Sequence, residues 1–173
     1  MPVPEGYAVA PTSTDHLVKI AVPIPGRDPI LIEAPKLSWL TPDEVEKYQE
    51  WLQPILDAEK EVTDWHIAND DLPEEVTPEM VSAWHEANDD LPEDQRAPLP
   101  RERAPFPDEA KAKADAVQVR EVTLRWIKPY VSAAEYKTLV TSKKIPERTI
   151  EWIKEQLTSP DITVGESEAS TSS

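Results

Sequence analysis

His16-Leu17-Val18-Lys19-Ile20-Ala21-Val22-Pro23-Ile24-Pro25-Gly26-Arg27-Asp28-Pro29-Ile30-Leu31-Ile32-Glu33 is the stretch that reads as β structure. Two β-branched runs flank a Pro-Gly turn, which predicts a hairpin over residues 16–33. Its prolines suit edge positions, because proline has no N–H to give to a ladder. A lone hairpin is marginal in water, so this one must pack on something. The nearest apolar side chains are Leu37, Trp39 and Leu40. Before it, residues 1–15 mix proline with small residues, show no apolar periodicity and read as a disordered arm. After it the signals are helical. The expected fold is mainly α with a small N-terminal β-hairpin, its helical modules joined by Pro-rich linkers and its termini disordered.

Thr41-Pro42-Asp43-Glu44 is a helix start: Thr41 caps, Pro42 needs no N–H partner there, and Glu44 completes a capping box. Val45, Tyr48, Leu52, Ile55 and Leu56 then fall on one helical face. Pro54 is expected to kink that helix or split it in two. Hairpin and helix together form the first expected module, residues 16–60.

Residues 61–95 hold a duplication. Trp65-His66-Ile67-Ala68-Asn69-Asp70-Asp71-Leu72-Pro73-Glu74 returns as Trp84-His85-Glu86-Ala87-Asn88-Asp89-Asp90-Leu91-Pro92-Glu93, identical at nine of ten positions. Each copy fits a short helix bearing Trp, with an Asn able to turn left-handed at its end and an acidic exit. Thr77-Pro78-Glu79 starts the second of these helices. Residues 41–95 contain 18 acidic side chains against Lys47 and Lys60, a net charge of −16. That equals the charge of the whole chain.

Residues 96–107 read as a Pro-rich, semi-rigid linker carrying Arg96, Arg101 and Arg103. Asp108 to Lys128 lacks Pro and Gly and is rich in Ala, so it predicts one continuous helix. Val119, Val122, Trp126 and Ile127 would form its buried stripe, and Pro129 would stop it. Ser132-Ala133-Ala134-Glu135 opens a second helix, and Ile145-Pro146-Glu147 a third with Ile150, Ile153 and Leu157 on one face. Residues 108–157 thus form an expected three-helix module, followed by a disordered polar tail over residues 158–173.

Composition limits the chemistry. A net charge of −16 repels nucleic-acid phosphates and anionic membranes. Without cysteine there is no disulfide, thiolate zinc site or Cys nucleophile. Three scattered glycines cannot build a phosphate loop. There is no apolar run of membrane-spanning length and no signal peptide, so the chain is expected to be soluble and cytosolic. No cofactor is implied, and an enzyme of any kind is the least favoured class.

Two candidate sites lie in the duplication. His66 with Asp70, and His85 with Asp89, share helical faces and together offer four ligands for a divalent metal. A Trp-anchored helix with a solvated acidic end explains the same letters without metal, and is preferred. The second candidate is a protein-binding surface. Trp65 and Trp84, with Leu72 and Leu91, would anchor a partner that is apolar and basic. Trp126 and Trp152 are assigned to the core.

Glu135-Tyr136-Lys137-Thr138-Leu139-Val140, then Ile145-Pro146-Glu147-Arg148-Thr149-Ile150-Glu151-Trp152-Ile153, then Val164-Gly165-Glu166-Ser167-Glu168-Ala169-Ser170 resembles the tail assembly chaperones of long-tailed phages of actinobacteria. The similarity covers about residues 110–170, and residues 15–60 loosely; the duplication has no counterpart there. This resemblance implies a non-enzymatic role in virion assembly. Such chaperones bind the helical, aggregation-prone tape measure protein while the tail tube polymerises around it. It also implies a location in the host cytoplasm, absence from the finished particle, and a longer frameshifted product as a further partner, beside self-association. A structural virion protein, such as a tail or head-joining component, is the alternative, ahead of the metal-binding module.

Overall fold

The computed structural model describes residues 2–12 and 15–160. Met1, Ser13, Thr14 and the ending after Pro160 lie outside the described residues, and with them most of the expected polar tail and the Gly165-Glu166-Ser167 motif. Pro2 to Thr12 contain neither helix nor strand and are exposed. The fold is mainly α with one antiparallel hairpin, as the sequence predicts.

Strands β1 (Leu17–Ile24) and β2 (Arg27–Pro35) pair with Ile20 opposite Ile32 and Val22 opposite Ile30. Side chains alternate across a strand, so Ile20, Val22, Ile24, Ile30, Ile32 and Ala34 line one buried face. Pro23 sits where the register shifts, between Val22 and Ile24, and is exposed. Gly26 closes the turn at φ +82°, a conformation that side-chain-bearing residues avoid.

Six α-helices follow among the described residues. Helix α1 spans Pro42–Asn69, α2 Pro78–Asn88, α3 Asp108–Asp115 and α4 Val119–Leu124. A 3-10 segment, Arg125–Tyr130, leads to α5 (Ala133–Thr141) and α6 (Glu147–Thr158). The caps read from sequence form. Thr41 and Glu44 exchange bonds, Thr77 accepts from the Met80 amide, and Ser132 and Glu135 make a complete capping box.

The chain forms two compact units. One comprises residues up to Leu52 together with those from Val117 on; the other is Gln53–Ala116. In the first, the buried face of the hairpin packs on Leu124, Ile127, Leu139, Val140, Ile145, Ile150, Ile153 and Leu157. Those residues lie about a hundred positions downstream, so the expected modules 16–60 and 108–157 are not separate bodies. Leu37 joins that core only at its margin. Each buried Ile or Leu contributes roughly 1.5–3 kcal/mol, which the short apolar run Leu37–Leu40 could not supply.

Of the kink or split expected at Pro54, the split does not occur, because Pro54 lies inside α1. One helical bond to the Glu50 carbonyl is lost, yet Ile55 and Ala58 beside it are buried and offset the cost. Conversely, Asp108–Lys128 is not one helix. It breaks after Asp115, restarts with Gln118 extended at φ −80°, ψ 147°, and tightens into the 3-10 segment. The residue before a proline disfavours the α region, which limits the helix at Lys128-Pro129. Of the expected stripe, Ile127 is buried and Val122 and Trp126 are half-buried, but Val119 faces solvent at 84% exposure and Leu124 is buried in its place.

Short α4 is held by a side chain. Arg120 donates to the carbonyls of Ser142 (2.8 Å) and Ile145 (2.6 Å) and to Glu147 Oε1 (2.7 Å). These bonds satisfy the carbonyls of the turn between α5 and α6.

Candidate protein-binding site

The duplicated residues build the same small structure twice within the second unit. At the end of α1, the Asn69 side chain donates from Nδ2 to the Trp65 carbonyl (2.8 Å) and accepts at Oδ1 from the Ala104 amide (2.8 Å). Trp65 Nε1–H donates to the carbonyl of the same Ala104 (3.0 Å). At the end of α2, Asn88 donates to the Trp84 carbonyl (2.8 Å) and accepts from the Ala97 amide (2.7 Å), while Trp84 Nε1–H donates to the Ala97 carbonyl (3.0 Å). In each copy one alanine is held at both backbone groups, its N–H by Asn and its C=O by Trp.

The arginine before each alanine completes the clamp. Arg103 donates from Nε to the Leu72 carbonyl (2.7 Å) and from Nη2 to the Asp70 carbonyl (3.0 Å). Arg96 repeats this toward Leu91 (3.0 Å) and Asp89 (3.4 Å). Carbonyls at a helix C-terminus lack helical partners and carry partial negative charge, so a guanidinium satisfies them twice over.

Asn69 and Asn88 are the buried polar side chains of the described residues. Their bonds explain that burial. They also correct an expectation: neither Asn turns left-handed, and no non-glycine residue among those described has positive φ. The amide group, not its backbone tolerance, is what the position uses.

Trp65 and Trp84 are half-buried and bonded to their own chain. Phe106 meets Trp65 edge-on, with ring centroids 4.9 Å apart. Leu72 is half-buried and Leu91 is exposed. His66 Nδ1 lies 2.9 Å from Asp70 Oδ1, and His85 Nδ1 lies 2.9 Å from Asp89 Oδ1. The two pairs are not brought together, and no cluster of three or more His, Cys, Asp or Glu suited to a metal occurs among the described residues. Each histidine ring meets the Trp of its own copy edge-on, with centroids 5.2 Å (His66) and 5.1 Å (His85) away.

The residues missed from sequence are the clamped ones. Arg96-Ala97-Pro98-Leu99-Pro100 and Arg103-Ala104-Pro105-Phe106-Pro107 are themselves a repeat, identical at four of five positions. The supposed linker is therefore the second half of the duplicated structure, and the matching Arg-Ala-Pro letters were the available signal.

The first unit carries an aromatic groove of about 430 Å³ lined by Leu40, Tyr48, Arg125, Trp126, Pro129 and Tyr130. Tyr48 stacks on Trp126 at 3.8 Å, and the Arg125 guanidinium lies 4.5 Å over the Trp51 ring. The Tyr130 hydroxyl donates to Glu44 Oε1 (2.7 Å). Burial, then that bond, pushes the Tyr130 hydroxyl up to about 12. The Thr41 amide, then Tyr130, hold Glu44 below the usual carboxylate range. Trp126 is half-buried in this stack, but Trp152 is 43% exposed and is not a core residue. It lies on the face of α6 opposite the buried Ile150, Ile153 and Leu157.

No helix among the described residues is long and apolar enough to cross a membrane. Comparison with known proteins finds no matching family model, curated relative or solved structure.

Proposed function

We propose that this chain is a non-enzymatic binding protein, a phage tail assembly chaperone that keeps the tape measure protein soluble in the host cytoplasm while the tail tube assembles. The supporting observation is apolar display on a strongly acidic segment. Leu56 is 44% and Ile67 79% exposed on α1. Eleven residues is close to three helical turns, so the two lie on nearly one face. That face belongs to residues 41–95, whose net charge is −16. Exposed aliphatic groups can cover an apolar client while the surrounding charge keeps the complex dispersed. Because Trp65 and Trp84 are engaged with their own chain, Leu56 and Ile67 replace them as the first anchors to test. A longer product sharing this sequence, and self-association, are further partners in this proposal.

The test is co-expression with the tape measure protein, followed by pull-down and a soluble-fraction assay. The client should co-purify, and Leu56→Asp with Ile67→Asp should lower its recovery several-fold with helix content unchanged. A folded chain that leaves the client insoluble and unbound would end this proposal. Finding the chain in purified particles would favour a structural virion component instead.

A further inference from the structure

We propose that each Trp-His-x-Ala-Asn-Asp-Asp-Leu-Pro helix end is a binding site for an extended Arg-Ala-Pro-Φ-Pro peptide, where Φ is Leu or Phe, and that the sites accept this sequence from a partner protein in place of the chain's own segments. The inference stands on the duplicated geometry alone and is independent of the chaperone proposal.

Recurrence is what makes the contacts a recognition rule. Five bonds recur with the same donors and acceptors: Trp to Ala carbonyl, Ala amide to Asn, Asn to Trp carbonyl, and two from Arg to the exit carbonyls. Yet the connections differ. Ala97 follows Asn88 by nine residues, whereas Ala104 follows Asn69 by 35. Identical docking through unlike tethers shows that the peptide, and not the loop leading to it, determines the fit. The ligand chemistry follows from the contacts. Arginine serves the helix-end carbonyls, and alanine presents both backbone groups. The prolines favour an extended backbone before binding, which lowers the ordering cost.

The two sites are unequally filled. Phe106 rests against Trp65, but Leu99 in the equivalent place is 60% exposed. Arg96 also makes the longer of the two sets of bonds. The α2 site therefore has most to gain from a Phe-bearing peptide. A partner protein is favoured over a second copy, because reciprocal exchange would only restore the same unequal filling at a cost in association entropy, whereas a partner's Phe-bearing peptide would fill the place where Leu99 is left 60% exposed. The acidic exits, Asp70-Asp71 and Asp89-Asp90, add attraction for an arginine-bearing partner.

The probe is a synthetic Arg-Glu-Arg-Ala-Pro-Phe-Pro-Asp peptide, and the readout is the NMR signals of the six indole N–H groups of the full chain. Arg96→Asp places a carboxylate against the exit carbonyls and should release the cis segment. The peptide should then bind one-to-one and shift the Trp84 indole. Binding to the unaltered chain should be about tenfold weaker or more, since a short tether holds the cis segment at millimolar effective concentration. Asn88→Ala added to Arg96→Asp, or alanine for the arginine preceding Ala-Pro in the peptide, should abolish binding. If Arg96→Asp disorders α2, the peptide should restore the Trp84 signal. The unaltered chain at several millimolar peptide provides the same reading, with only Trp65 and Trp84 moving. No shift in any of these arms, or equal shifts with a scrambled peptide, would overturn the proposal. An unaltered chain that sediments as an exchanged dimer would overturn the partner assignment.

Discussion

Replacing Asn69 by alanine removes a side chain that bridges two parts of one clamp, and its effect can be read on a neighbour that keeps its own bond. The change deletes the bonds to the Trp65 carbonyl and from the Ala104 amide, both 2.8 Å. Each is worth a net of roughly 0.5–1.5 kcal/mol, so the clamp should weaken by about 2 kcal/mol. Ala104 is exposed, so water can reach its freed amide and no large penalty for an orphaned donor is added. The Trp65 indole retains its acceptor, the Ala104 carbonyl. Its hydrogen exchange therefore reports opening of the clamp and should quicken by roughly 30-fold for 2 kcal/mol. The Trp84 indole, bonded to Ala97 in the other clamp, should be unchanged. Asn88→Ala should give the mirror result. The experiment is amide and indole exchange by NMR on the full chain. If both indoles quicken together in each variant, the clamps are one cooperative body. If neither changes, the Asn bridges do not hold them.

Other expectations follow from the same structure. Arg120→Ala should destabilise the first unit by about 2–4 kcal/mol, read from urea unfolding, because three charge-assisted bonds are lost from a side chain only 13% exposed; a loss under 0.5 kcal/mol would show that α4 needs no such tie. Ile30→Ala, at a fully buried position on the hairpin, should cost about 2–5 kcal/mol. Tyr130 is raised in the folded state, so its contribution to stability is complete below about 10 and is lost as pH rises toward about 12; Tyr130→Phe should remove that share of the alkaline loss in thermal melts. Glu44 is lowered, so its contribution is present above 4.5 and is lost as pH falls through its folded value; Glu44→Gln should flatten that part of the acid profile.

The hairpin, the three capped helix starts and the buried face of α6 were legible because each rests on short-range signals. Two β-branched runs around Pro25-Gly26 marked the hairpin, whose pairing sets Ile20, Val22, Ile30 and Ile32 on one face. Capping boxes placed Thr41 and Ser132. Errors arose where tertiary packing overrode local preference. Asp108–Lys128 has the composition of one long helix, yet the core needed Leu124 and Ile127 inward at the cost of a break at Gln118. Pro54 carries a helix-breaking signal, yet α1 continues through it.

At the candidate site the letters announced a duplication but not what its Trp residues are bonded to. Trp65 and Trp84 looked available because nothing local pairs an indole N–H. Their acceptors stand 39 and 13 residues away. By itself the sequence determined the class of fold, the acidic middle and the two-fold repetition of Trp, His and Asn, since these depend on composition and on periods of a few residues. Only the tertiary structure decided what the hairpin packs on and what the repeats hold. Both depend on long-range pairs, whose formation is governed by loop closure and complementary bonding rather than by any local preference.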